Sequence, residues 1–210
     1  MGWHRPRLTP ALGLALGMLA TIPLAAAAQG PGTENGQWTY LGGDAWHTRY
    51  TPADELTADN FDQVTMLWQF NAASFGPSTP RATPSYVDGK LITVTGEDRH
   101  VIALDPYNGK LIWSFTEPPN TIRHQYSMRK GYGKGVAYAE VPGRGGVVFI
   151  STPGFFLWAL DADTGQPLEN WGEPIPLPGF RQTGGVDMIP DLIEGWGPWE
   201  RWTGGPYDPN

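Results

Sequence analysis

Five residues from Gly131 to Gly135, GYGKG, combine glycines with a lysine, and such runs can cradle phosphate groups on backbone amides. Here the dinucleotide spacing is incomplete and no helical period follows, so a nucleotide site is not expected. His47, His100 and His124 are scattered without ligand spacing, and the chain has no cysteine, so neither a histidine metal triad nor thiolate chemistry is expected. Glu169 and Glu173 stand close enough to suggest an acid–base pair, but their turn-rich surroundings predict solvated carboxylates. Trp196, Trp199 and Trp202, in EGWGPWERW, either line a substrate mouth or pack a long loop over the fold; the packing role is preferred, because aromatics among glycines and prolines hold loops down. A net charge of −7 and the lack of a basic stripe argue against a nucleic-acid partner.

The elements that would position any such residues are short strands. Glycine (28) and proline (21) are both abundant, aromatics make up 12% and charged residues only 17%, a mixture that suits tight turns between strands rather than disorder. TPSYVDGKLITVTGEDRHVIALDPYNGKLIWSF reads as four strands separated by Asp88-Gly89, by Gly96 to Arg99 and by Pro106 to Gly109, each good tight-turn chemistry. A second meander follows: Gly135 to Val141, Gly146 to Thr152, Phe155 to Asp161, and a segment running to Trp171. Upstream, Thr57 or Asp59 is expected to cap a short helical turn before a strand-like VTMLWQF. Asp187 to Glu194 is expected to make a short helical turn.

The two meanders share a phrase, ALDPYNGKLIW from Ala103 to Trp113 and ALDADTGQPLENW from Ala159 to Trp171. Ala103 and Ala159 are small where sheets would pack closely, Asp105 and Asp161 can bond turn amides, and Gly109 and Gly165 suit a left-handed backbone. Trp113 would dock its ring on the adjacent unit and offer its indole N–H to a backbone acceptor. In the second copy Glu169 replaces the tryptophan and Trp171 comes two positions later, which loosens that expectation. A lone four-stranded sheet cannot bury both faces, so the units must stack. The expected fold is therefore all-β, a β-propeller of four-stranded antiparallel blades carrying tryptophan-docking motifs.

The repeated Ala-Leu-Asp-x-x-x-Gly phrase ending in tryptophan resembles the docking motif of the quinoprotein dehydrogenases, which use pyrroloquinoline quinone (PQQ). The segment WTYLGGDAWHTRYTPADELTADNFDQVTMLWQF is similar to that family's N-terminal segment, and YGKGVAY, FISTPGFFLWALDADTG and TGGVDM follow in the family's order, from Trp38 to at least Met188. The resemblance implies an eight-bladed propeller with PQQ near its axis and a calcium ion beside it. It also implies oxidation of an alcohol, polyol or aldose, with electrons passed to a cytochrome or membrane quinone. The cofactor would supply the redox chemistry while the protein orients it and polarises its reactive carbonyl.

Carried onto this sequence, the resemblance implies that Thr152 bonds the cofactor's carboxylates and that Gly184 and Gly185 pass close to it. Lys134 stands where the family has an arginine beside the reactive carbonyl, keeping the charge and losing the planar fork. Arg81 stands where the family has a cofactor-binding glutamate, and is free to pair with a cofactor carboxylate instead. Met128-Arg129 replaces the vicinal cysteines of the alcohol-oxidising branch. The catalytic aspartate and calcium ligands are expected beyond Asn210, which makes the chain an N-terminal piece holding the first two to three blades. The competing readings are a non-catalytic propeller scaffold in the bacterial envelope and an inactive truncated product.

The expected organisation is a signal peptide over 1–28, a linker over 29–36 and a partial propeller over 37–210. Within the propeller the sequence predicts an N-terminal segment over 38–70, blades over 82–116 and 135–171, and a loop-rich tail over 172–210. Arg5 and Arg7 precede an uncharged run ending in PLAAAA, with Ala26 and Ala28 spaced for cleavage before Gln29. Export to the periplasm follows; an uncleaved membrane anchor is the other reading of that run.

Overall fold

The computed structural model describes residues 30–77, 81–117, 122–173 and 184–190. The signal segment, Trp196, Trp199, Trp202 and most of the tail lie outside these residues. Turn chemistry sets the strand register. Asp88 and Gly89 both take positive φ (46° and 69°), the pair that a two-residue hairpin turn demands. They join β1 (Ser85–Val87) to β2 (Lys90–Thr95); β3 (His100–Leu104) and β4 (Leu111–Phe115) complete an antiparallel sheet in the order β1-β2-β3-β4. A short helix, α1 (Ile122–Tyr126), leads into the second sheet, built from β5 (Ala137–Val141), β6 (Gly145–Ser151), β7 (Phe156–Asp161) and β8 (Gly185–Asp187) in sequence order.

The alternation of β2 buries Ile92 and Val94 on one face, and these join Val148, Ile150, Trp158 and Leu160 of the second sheet in a single apolar core. Phe115 meets Trp158 at 5.3 Å between ring centroids, so the two sheets pack face on face, as successive propeller blades do. The other face of the first sheet is covered by the N-terminal segment, where Phe75 lies 5.1 Å from the His100 ring. Burial lowers the His100 imidazole pKa, against the pull of Asp98 and Glu97.

The two copies of the repeated phrase form the same turn. Asp105 accepts Tyr107 N–H at 2.8 Å, and Asp161 accepts Thr164 N–H at 2.8 Å. Gly109 and Gly165 take φ of 69° and 70°. Trp113 donates its indole N–H to Ala162 O at 3.0 Å, and its ring lies so close over Gly165 that a Cβ there would come within 2.5 Å of it. The N-terminal segment repeats this one unit earlier: Trp68 donates to Pro106 O at 2.9 Å and covers Gly109 at the same closeness. Each tryptophan thus clamps the turn of the next unit, and the glycine is obligatory beneath the indole.

Three expectations need correction. The helical turn is a 3-10 turn at Phe61–Gln63 preceded by Asn60, whose side chain accepts Thr57 N–H at 2.7 Å; neither Thr57 nor Asp59 caps it. The segment Val64 to Phe70 is extended but forms no ladder among the described residues, and Met66 and Leu67 stay 79% and 80% exposed. The fourth strand of the second sheet does not run to Trp171. Leu168 N–H bonds Ala159 O at 2.9 Å, and Ala159 N–H bonds Gly184 O at 2.8 Å, so two segments far apart in sequence meet the same residue of β7, while Glu173 N–H bonds Gly185 O at 3.0 Å. β8, not the 166–171 segment, completes the ladder with Trp158 opposite Gly185. Trp171 packs edge-to-face with Phe149 of its own sheet, with 5.8 Å between ring centroids.

Candidate functional site

Strand direction gathers the segments that carry Arg81, Glu117, Arg123, Arg129 and Lys134 at one end. The segment before β1, the β2–β3 turn, the residues after β4, helix α1, the 127–136 loop and the β6–β7 turn all lie opposite the end that carries the tryptophan-clamped turns.

The 127–136 loop is held against the first sheet by its glycines. A Cβ on Gly131 would stand 2.8 Å from Gly96 O, and one on Gly133 would stand 2.3 Å from Val94 Cγ2. Thr83 N–H bonds Lys134 O at 3.0 Å, and Arg99 bonds the Arg129 carbonyl at 3.0 Å. The room on the sheet side of the loop is thus filled at both glycines, while the Lys134 ammonium lies 5.4 Å from the Tyr132 ring centroid. Gly131 and Gly133 of GYGKG serve packing against Gly96 and Val94.

Tyr132 is the centre of a cationic group. The guanidinium of Arg81 lies 4.9 Å from the ring centroid and donates to the phenol oxygen at 2.8 Å. The Arg129 guanidinium and the Lys134 ammonium each lie 5.4 Å from the same centroid. The negative face of the ring attracts each cation, but the cations repel one another, and no carboxylate of the described residues pairs with any of them. Such a group fits an anion with more than one charge. The structure thus brings together Arg81 and Lys134, assigned to the cofactor from the sequence, with Arg129, read there only as part of the pair replacing the vicinal cysteines, and adds Tyr132, to which the sequence assigns no role. The two-residue alternation in GYGKG was the signal that could have found Tyr132.

Thr152 is placed differently. It is 5% exposed in the β6–β7 turn, and its hydroxyl donates to Phe156 O at 3.1 Å. Glu117 follows β4 and is 1% exposed; it accepts Gly154 N–H at 3.2 Å across the sheet interface, where any side chain at Gly154 would collide with the carboxylate. Burial pushes the Glu117 carboxyl above the ordinary carboxylate range, opposed by Thr152, Gly154 N–H, Arg99 and Arg123. Thr152 thus braces the β6–β7 turn through its bond to Phe156 O, and Gly154 of the same turn meets the buried acid. Arg123 of α1 in turn forks onto Asp187 of β8 at 2.8 and 3.0 Å, and His124 lies 3.2 Å from Asp98.

Gly184 and Gly185 lie on the outer strand of the second sheet. A Cβ on Gly184 would stand 2.5 Å from Pro167, and Gly185 O lies where a Cβ on Gly172 would be. The close backbone approach expected of these glycines is made within the chain, at the point where the outer strand resumes. Glu169 and Glu173 are exposed, as expected. Among the described residues no cluster of three His, Cys, Asp or Glu could hold a metal ion, so calcium finds no cage in them.

Comparison with known proteins follows the same line. The PQQ family profile, described as glucose/ethanol/alcohol dehydrogenase, β-propeller domain, matches residues 38–175. The 1-butanol dehydrogenase (cytochrome c) of Thauera butanivorans is 31% identical over 155 residues, covering 74% of this chain and 20% of that protein. The quinohemoprotein alcohol dehydrogenase ADH-IIG of Pseudomonas putida is 31% identical over 133 residues, 63% of this chain and 17% of its own. The solved structure of ADH-IIG from strain HK5 superposes with a TM-score of 0.54 at 28% identity, covering 72% of this chain and 19% of that one. The chain thus spans about a fifth of the length of these relatives.

Proposed function

Since the chain belongs to the glucose/ethanol/alcohol dehydrogenase β-propeller family, we propose that it forms the N-terminal, cofactor-side part of a PQQ-dependent dehydrogenase. In this reading the enzyme oxidises an alcohol, with polyols and aldoses as the wider class, and is exported to the periplasm by residues 1–28. Its electrons pass to a cytochrome or a membrane quinone. The relatives named as alcohol dehydrogenases support the alcohol class, and the one named for cytochrome c supports such an acceptor.

The observation that carries the reading is the cationic group around Tyr132, because PQQ is a planar tricarboxylate and this end of the sheets offers three cations that pair with no carboxylate among the described residues. Bound there, PQQ would supply two-electron redox chemistry. Arg81 would hold one of its carboxylates, with Tyr132 fixing the angle of the guanidinium. Lys134, on a loop pinned by Gly133 and Thr83, would place a positive charge beside the cofactor without needing to reorganise. Thr152 and Glu117 would act one layer down, holding the β6–β7 turn against the first sheet.

The test is reconstitution of the purified enzyme with PQQ and calcium, followed by dye reduction with primary alcohols and with aldoses. Alcohol-dependent reduction supports the proposal. Failure to bind PQQ removes it and leaves the scaffold reading.

A further inference from the structure

We infer that Tyr132 and Arg129, with Arg81 and Lys134, make a receptor for the carboxylate edge of a planar polycarboxylate, a role that the sequence assigned to neither Tyr132 nor Arg129. The inference deepens the PQQ reading and rests on it for the identity of the natural ligand. Its geometry comes from the loop. Gly131, Gly133 and Gly135 each leave too little room for a Cβ on the side of the first sheet, while the Lys134 ammonium lies 5.4 Å from the Tyr132 ring centroid. The Arg129 carbonyl is tied by Arg99, which itself is anchored to Ser151 O at 2.9 Å. The backbone beneath the cations is thus held from both sheets before any ligand arrives, and preorganisation of this kind lowers the ordering cost of binding.

The chemistry of the group selects the ligand class. Two of the three cations are guanidinium forks, which match carboxylates by paired parallel hydrogen bonds. The three charges are spread around one ring rather than focused on a point. A rigid fused-ring anion carries its charges spread in the same way, whereas phosphate concentrates them. Tyr132 has two tasks: its face holds the cations together against their mutual repulsion, and its phenol oxygen orients Arg81.

Calorimetric titration of the purified protein with PQQ, benzene-1,2,4-tricarboxylate and inorganic phosphate tests this without any turnover. The wild type is expected to bind PQQ and the tricarboxylate, with phosphate at least about tenfold weaker, and binding should weaken with added salt. Arg129→Gln is expected to weaken both carboxylate ligands about tenfold, and Arg129→Lys to recover part of the loss. Tyr132→Ala should cost more than Arg129→Gln, and Tyr132→Phe less, because the phenyl face remains. Unchanged circular dichroism and melting temperature exclude unfolding as the cause; Arg129 is exposed, so its variants preserve the fold. If PQQ binding is indifferent to Arg129→Gln and Tyr132→Ala, the receptor is overturned while the dehydrogenase reading stands. Tricarboxylate binding without PQQ binding keeps the receptor and overturns the cofactor. Phosphate binding as tight as the tricarboxylate, or no binding at all, overturns the receptor.

Discussion

The same eight strands end in two unlike regions. At one end, Trp68 and Trp113 clamp the turns at Gly109 and Gly165, and the polar groups of those turns bond one another within a few residues. At the other, cations crowd Tyr132 without a carboxylate among the described residues, and an acid is buried at Glu117. The first arrangement completes its own hydrogen bonds and serves stability. The second keeps charge in places where stability alone would not put it, as expected where a fold commits residues to a ligand.

The contrast breaks most readily at Trp113. Trp113→Ala removes a ring that is 7% exposed together with its bond to Ala162, and should lower unfolding free energy by about 3–5 kcal/mol in urea titration. If instead it mainly impaired anion binding, the division between the ends would be false. Trp68→Ala should cost less, about 1–2 kcal/mol by the same measurement, since its ring is only half-buried.

Glu117 sharpens the comparison through pH. The folded state favours its protonated form, so it binds more protons than the unfolded chain does; the stabilising effect is full below the ordinary value of 4.5 and is lost as pH rises through the higher folded value. Glu117→Gln should therefore match the wild type near pH 4 and exceed it in melting temperature at pH 8. With that slope removed, His100 should become visible. Its lowered pKa stabilises the fold above 6.5 and loses that effect as pH falls through the folded value. The smallest effect belongs to the clamped end. Lys90 bridges to Asp163 of the second sheet at 2.7 Å, and Lys90→Met should cost about 0.5 kcal/mol, less in high salt.

Much of the clamped end was legible in the sequence because its determinants are local. A turn such as Asp105 to Gly109 needs particular residues within five positions, and a tryptophan that must meet a glycine announces both. Trp68 was legible only as part of a strand, since its acceptor is far away in sequence. The fourth strand of the second sheet escaped for a related reason: Pro167 and Leu168 do begin it, but periodicity cannot show that Gly184 resumes it. At the charged end, Arg81 and Lys134 were found through resemblance. Tyr132 was hidden because the glycines flanking it suggested a ligand loop when their task is to press backbone on Gly96 and Val94. Glu117 carries no local signal at all; its burial comes from Gly154 of the other sheet.

The outer strand of the second sheet is spliced at Ala159 from two pieces of chain. Continuity along the chain is thus not what defines that strand; the hydrogen-bond ladder of β7 does, by accepting whichever segment presents itself in register. Strand order at that edge is therefore fixed by register on β7, through Leu168 and Gly184 on the two sides of Ala159, rather than by the order in which the chain arrives.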